Sequence, residues 1–145
     1  MKRWTNPKSV GNVNGVSATN LRLKLNQGLR VKGYIPKDSP GFAINVGKDS
    51  NNFALHFNPR FDQNGDTKKT ILNSLQGGVW GAEEKKDVFP FKQGAETTVF
   101  FKFQGNSITV KLPSGEELSF PLPSPVDEIS SVFLVGLHLK NITIE

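Results

Sequence analysis

Short runs of alternating apolar and polar residues fill most of this chain, with turn-forming residues between them. Leu21, Leu23 and Leu25 alternate with Arg22, Lys24 and Asn26, and Asn26-Gln27-Gly28 then reads as a turn. Leu29, Val31 and Gly33 make a second run, and Phe42, Ile44 and Val46 a third. A period of two is that of a strand with one face buried. After the turn residues 47–52, Phe53, Leu55 and Phe57 are expected to face a core, with His56 and Asn58 facing out. Arg60 continues the outward row if the strand persists past Pro59, which removes a backbone donor and holds Asn58 extended. Asp62-Gln63-Asn64-Gly65-Asp66 is the strongest turn signal. Further strands are expected at Thr70–Ser74, at Thr97–Phe103, at Ser107–Leu112 and at Glu117–Phe120. Pro121, Pro123 and Pro125 break the pattern, Asp127–Ser131 reads as one short helical turn, and Val132–Leu137 reads as buried.

No segment sustains a 3.6-residue period. Many short strands with turns between them predict an all-β sandwich or barrel. The 11 Phe against one Tyr and one Met suit the core of a sandwich, whose two sheets lie about 10 Å apart. At 145 residues the chain is long enough for one domain and short for two. Residues 1–16, rich in Asn, Pro, Gly and Ser, read as a flexible N-terminal extension, and 17–145 as the domain.

Cysteine is absent, so disulfides, thiolate nucleophiles and cysteine-ligated zinc are excluded, and packing alone must hold the fold. The formal charge of +5 is spread along the chain and interleaved with acids, as at Glu83, Glu84, Lys85, Lys86 and Asp87. That pattern argues against nucleic acid. No apolar run approaches a membrane span, and no secretory signal is visible at the start, so no membrane insertion is expected.

Enzyme readings find little support. His56 and His138 are the only histidines, and no metal-ligand spacing surrounds either. Gly77-Gly78 lacks the Lys-Ser/Thr of a phosphate loop, and no nucleophile elbow appears. The acids Asp62 and Asp66 flank a turn, without the later ligands of a calcium loop. A glycosidase needs two carboxylates across a cleft, whereas Glu83 and Glu84 are adjacent. No cofactor is expected.

The residues between Asn52 and Lys85 suit recognition instead. His56, Asn58 and Arg60 share one face of one strand, with Asn73, Trp80 and Glu83 nearby in sequence. Donors, acceptors and one aromatic plate match a sugar ring, which has hydroxyl edges and a C–H face. Taken singly, each has a plainer reading: His56 as surface, Trp80 as core, Asn73 as a turn cap, and Glu83 with Lys85 as a solvated ion pair.

Taken together they carry a resemblance. His56-Phe57-Asn58-Pro59-Arg60-Phe61, then Asn73-Ser74, then Trp80-Gly81-Ala82-Glu83 resemble the galectin signature. Residues 47–52, Val88-Phe89-Pro90-Phe91, residues 110–115 and Phe120-Pro121 fit too, and the similarity runs from about Asn20 to the end, closest to single-domain prototype members. The resemblance implies a two-sheet, antiparallel, jelly-roll-like sandwich that binds β-galactosides such as lactose or N-acetyllactosamine without a metal and without catalysis. It implies that His56, Asn58 and Arg60 hold the galactose 4-hydroxyl and ring oxygen. Asn73 and Glu83 would contact the 6-hydroxyl, Trp80 would stack on the galactose face, and Glu83 would orient the basic side chains and reach the second sugar. The implied partners are galactosides of glycoproteins or glycolipids, with pairing to a second copy left open. The implied setting is cytoplasmic and extracellular, by export without a signal peptide. Lys85 departs from the pattern, which usually has arginine there. Lysine keeps the charge and loses the planar fork, so contact with the second sugar is expected to weaken or shift. The alternative is a galectin-like structural or protein-interaction module with weak or no sugar binding.

Overall fold

The computed structural model describes residues 15–145. In chain order the strands are β1 (Val16–Ala18), β2 (Leu23–Lys24), β3 (Gly28–Tyr34), β4 (Ala43–Asp49), β5 (Asn52–Gln63), β6 (Asp66–Gln76) and β7 (Val79–Trp80). They continue as β8 (Glu84–Lys86), β9 (Glu96–Phe103), β10 (Ser107–Lys111), β11 (Glu117–Pro121), β12 (Glu128–Ile129), β13 (Ser131–Val135) and β14 (His138–Ile144). No helix occurs among the described residues.

One sheet runs β1-β13-β4-β5-β6-β7, with β8 also pairing β6. The second runs β11-β10-β9-β3-β14, and β12 pairs β2 in a small third ladder. Every pairing is antiparallel. The expected jelly-roll-like sandwich is therefore what the chain forms. Its core is the meeting of the two inner faces: Ile44, Val46, Leu55 and Phe57 from one sheet, Leu29, Val31, Val99 and Phe101 from the other. The Phe57 and Phe101 rings meet edge-to-face at 5.6 Å and 86°, one from each sheet. The boundary expected between residues 16 and 17 falls inside β1, and residues 1–14 of the extension lie outside the described residues.

Hydrophobic alternation located most strands and missed where the ladder shifts. Phe53, expected in the core, stands beside Trp80 and Phe133 on the opposite face, with ring centroids 6.2 and 5.7 Å away. The β5–β6 register slips between Phe53 and His56, and the β4–β5 register slips at Gly47. A one-residue slip moves a side chain to the other face. Gly47 permits this, since a Cβ there would lie 2.2 Å from the Asn52 carbonyl oxygen.

Other expectations need correction. Leu25 is 55% exposed, because the chain turns at Asn26 (φ 68) before a third strand position forms. The helical turn expected at 127–131 is instead β12, held by Glu128↔Lys24 and Ile129↔Leu23. Val135 is not buried with its neighbours, since alternation along β13 points it outward. The short strand expected at 70–74 is the middle of the longer β6.

The β5–β6 hairpin is the frame of the open face. Asn64 (φ 52) and Gly65 (φ 83) make the two-residue connection, and Gln63 pairs with Asp66. Two left-handed residues match the twist of the strands they join, which is why Asn-Gly suits this position. The hairpin carries β5 unbroken through Pro59, so Arg60 does continue the outward row.

Candidate functional site

The open face of β5 and its neighbours holds a groove of about 650 Å³. Six of the seven sequence candidates line it: His56, Asn58, Arg60, Asn73, Trp80 and Glu83. Strand pairing accounts for much of this. Asn73 on β6 sits opposite His56, and Trp80 on β7 pairs with Leu75. Lys85 does not line the groove. It lies on β8 opposite Ile71, and its ammonium donates to Asp66 Oδ1 at 3.0 Å. The solvated pair expected between Lys85 and Glu83 is thus replaced by one between Lys85 and Asp66, while Glu83 accepts from Arg60.

Arg60 is the most committed side chain in the groove, and only 5% exposed. Its Nε–H donates to Asn58 Oδ1 at 2.8 Å, one terminal nitrogen to Asp66 Oδ2 at 2.7 Å, and the other to Glu83 Oε2 at 3.1 Å. Three of its five N–H groups are engaged, and two remain for a ligand. Asn58 is fixed in turn by donation from Nδ2 to the Phe42 carbonyl at 2.8 Å. Lys85 and Arg60, both bonded to Asp66, hold its carboxyl below the ordinary carboxylate range, so it stays charged and keeps the guanidinium in place.

His56 has a defined tautomer. Asn45 Nδ2 donates to the Phe133 carbonyl at 3.3 Å, so Asn45 Oδ1 faces His56 Nδ1 at 2.5 Å and accepts its proton. Nε2 is then bare in the neutral ring and accepts. Burial, with the nearby positive charge of Arg60, pushes the His56 pKa down from 6.5 to about 4, against the opposing pull of Glu83 and the Asn58 hydrogen bond. Trp80 is 50% exposed, and its ring stands 4.7 Å from that of His56 at 60°. It is not a core residue. Asn73 Oδ1 accepts from the Ser74 N–H at 2.8 Å, which leaves its NH₂ as the end available to a ligand.

The groove thus offers acceptors at His56 and Glu83, donors at Arg60 and Asn73, and an exposed ring at Trp80. The sequence-family model described as galactoside-binding lectin matches residues 15–144. The chain belongs to the galectin family. Galectin-1 of Rhinella arenarum is 47% identical to it over 131 residues, which cover 90% of this chain and 98% of that relative. The toad ovary galectin solved in complex with thio-digalactose is 46% identical, with a TM-score of 0.89 over 91% of this chain and 98% of that one. CG-16, a homodimeric agglutinin from chicken liver, is 36% identical, with a TM-score of 0.86 over 90% of this chain and 99% of that one.

Two residues that shape the groove of this galectin were not legible from motif spacing. Asn45 sits in an ordinary strand, and its role appears only when β4 lies beside β5. Asp66 closes a strong turn signal in the sequence. Strict alternation sets it beside Gln63 and off the Arg60 row, but Lys68 (φ 50) interrupts the pleat and the carboxylate turns back over Arg60. An acid just past an Asn-Gly turn, close in sequence to an outward arginine, is the signal that could have found it.

The His56 ring is expected to titrate with a midpoint near 4 in an NMR pH titration, with Nδ1 carrying the proton of the neutral form. The unfolded chain would take up that proton near 6.5. The ring's contribution to stability is therefore full above 6.5 and is lost as pH falls towards 4. A folded-state midpoint near 6.5 would show a solvated ring and remove the fixed-tautomer account.

Proposed function

We propose that this galectin is a non-catalytic lectin that seats a β-linked galactose in the groove, as in lactose or N-acetyllactosamine. The observation that carries this is the half-exposed Trp80 ring standing beside a row of polar groups already paired from beneath. Galactose has a C–H face that can cover the Trp80 ring, and an axial 4-hydroxyl that can reach the row. That hydroxyl would donate to His56 Nε2 and accept from the free N–H groups of Arg60. Asn73 and Glu83 would hold the 6-hydroxyl. An epimer with an equatorial 4-hydroxyl would leave those groups unpaired, at a cost of about 1–3 kcal/mol for each one. The pre-paired row lowers the ordering cost of binding, although a shallow groove returns modest affinity.

A glycosidase needs two carboxylates flanking the scissile bond. Glu83 is the one carboxylate among the described residues lining the groove, and Arg60 engages it. This supports binding without catalysis.

Lys85 is read as a contact to the sugar beyond galactose, made from the groove's edge. Its tether to Asp66 holds the ammonium on the Arg60 side, with half of the side chain exposed. On this reading the chain meets galactosides of glycoproteins and glycolipids outside the cell, after export that uses no signal peptide. Pairing with a second copy would give two sites per particle and avidity on a glycan surface. The homodimeric chicken agglutinin supports that pairing.

Lactose titrated by calorimetry should give saturable heat, and Trp80→Ala should lower affinity by on the order of tenfold or more with the fold intact by circular dichroism. No heat with the native chain sinks the lectin reading in favour of a structural module, and unfolding of Trp80→Ala would make the ring a packing residue. On a glycan array, Lys85→Arg should leave simple galactosides unchanged and shift extended ones by about two- to tenfold; an unaltered ranking refutes the second-sugar role. Sedimentation velocity over a range of concentrations should reveal a dimer, and a monomer throughout removes the avidity argument.

A further inference from the structure

The tip of the hairpin that carries the polar row is open backbone. Asn64 and Gly65 are both exposed and both left-handed, at φ 52 and φ 83. The Asn64 carboxamide makes no hydrogen bond among the described residues. Nothing lies within 4 Å of the place where a Cβ on Gly65 would stand. Asn20 (φ 59) and Asn26 (φ 68) are the other left-handed asparagines among the described residues. There the next N–H is occupied: Leu21 donates to the Ser130 carbonyl at 2.9 Å, and Gln27 to the Lys24 carbonyl at 3.0 Å. The Gly65 N–H has no partner among the described residues.

These conditions select a reaction of the chain on itself. The backbone nitrogen after an asparagine can attack the side-chain Cγ. At this tip the bond from Gly65 N to Asn64 Cγ forms and the Cγ–Nδ2 bond breaks. The amide leaves as ammonia, taking the proton that the Gly65 nitrogen gives up. Water then opens the succinimide ring at either carbonyl, to aspartate or to isoaspartate, and nothing is oxidised or reduced. Glycine favours the closure, because no Cβ hinders the approach and its backbone is free to turn. Asn64 must leave its left-handed conformation first, and a tip closed by the Gln63↔Asp66 pair opens locally at small cost.

The two products differ in what they do to the groove. Aspartate keeps the length of the turn, and Asp-Gly suits it as Asn-Gly does. Isoaspartate routes the main chain through its own Cβ and Cγ, which puts an extra backbone atom between Gln63 and Asp66. Asp66 is 8% exposed and receives Arg60 at 2.7 Å and Lys85 at 3.0 Å. A turn lengthened just before it cannot keep both the strand register and that carboxylate seated against Arg60.

We propose that Asn64 is a modification site, an asparagine that cyclises onto Gly65 and whose isoaspartyl product unseats Asp66 from Arg60, so that the groove weakens as the protein ages. The loss of sugar binding rests on the galactoside reading; the cyclisation and the unseating do not.

The test ages the native chain in warm, mildly alkaline buffer. Trypsin releases residues 61–68, in which Asn64 is the only asparagine. This peptide is expected to become a pair of acidic isomers ahead of every other described asparagine, the isoaspartyl form being marked by isoaspartyl methyltransferase. The isoaspartyl protein, isolated by chromatography, should bind lactose about tenfold or more weakly than the native chain. Its Arg60 guanidinium proton signals should shift in NMR. Freshly made Asn64→Asp should stay within about twofold of the native affinity, and Asn64→Gly, which keeps a turn of the same length, should hold its affinity on ageing. The inference is overturned if Asn64 stays intact, if the isoaspartyl form keeps the native affinity or the native Arg60 signals, if Asn64→Asp loses as much, or if Asn64→Gly decays at the native rate. A native chain that never binds lactose overturns the galactoside reading and with it the loss of binding, while the peptide map and the Arg60 signals still decide the cyclisation and the unseating.

Discussion

A nearly buried guanidinium has to be answered by charge and hydrogen bonds, or it would leave the groove for water. Arg60 is answered from three directions, by Asn58 on its own strand, by Asp66 across the hairpin and by Glu83 beyond β7. Each partner arrives from a different piece of backbone, so the arginine fixes the relative placement of all three. Asp66 is shared with Lys85, which links the groove to its edge. The polar row is thus a network before any ligand enters. What remains uncommitted, two N–H groups of Arg60, Nε2 of His56 and the amide of Asn73, defines what a ligand must supply.

Register is the second constraint. The slips at Gly47 and between Phe53 and His56 move Phe53 to the open face, where its ring meets both Trp80 and Phe133. Without them strict alternation along β5 would turn Phe53 into the core, and the groove would lose an aromatic neighbour of Trp80. Placement of an aromatic plate beside the polar row is therefore a backbone property as much as a side-chain one.

Much of the fold was legible because strands with one buried face write a period of two. The row of His56, Asn58 and Arg60 followed from that period, and Asn64-Gly65 announced the hairpin that extends it. The residues that spoke least were those whose part depends on a distant strand or on broken alternation. Asn45 matters only because β13 and β5 flank β4, and Asp66 only because Lys68 bends the strand. Lys85 was conspicuous as a departure from the family pattern, yet nothing local indicated that its partner would be Asp66. Alternation carries no sign of a register slip, which moves Phe53, or of a strand that ends early, which exposes Leu25.

The path of the chain through the two sheets bears on how the protein is made. The hairpin that carries the polar row joins neighbours in sequence, and its frame is present once residues 52–76 exist. The sheets are another matter. β13 inserts between β1 and β4, and β14 forms the far edge beside β3, so both sheets are completed only by residues 131–144. During synthesis the ligand-facing hairpin is available well before either layer is whole. A chain that loses its last strands leaves β1 without its partner and the β3 edge uncovered, although every polar residue of the groove would still be present.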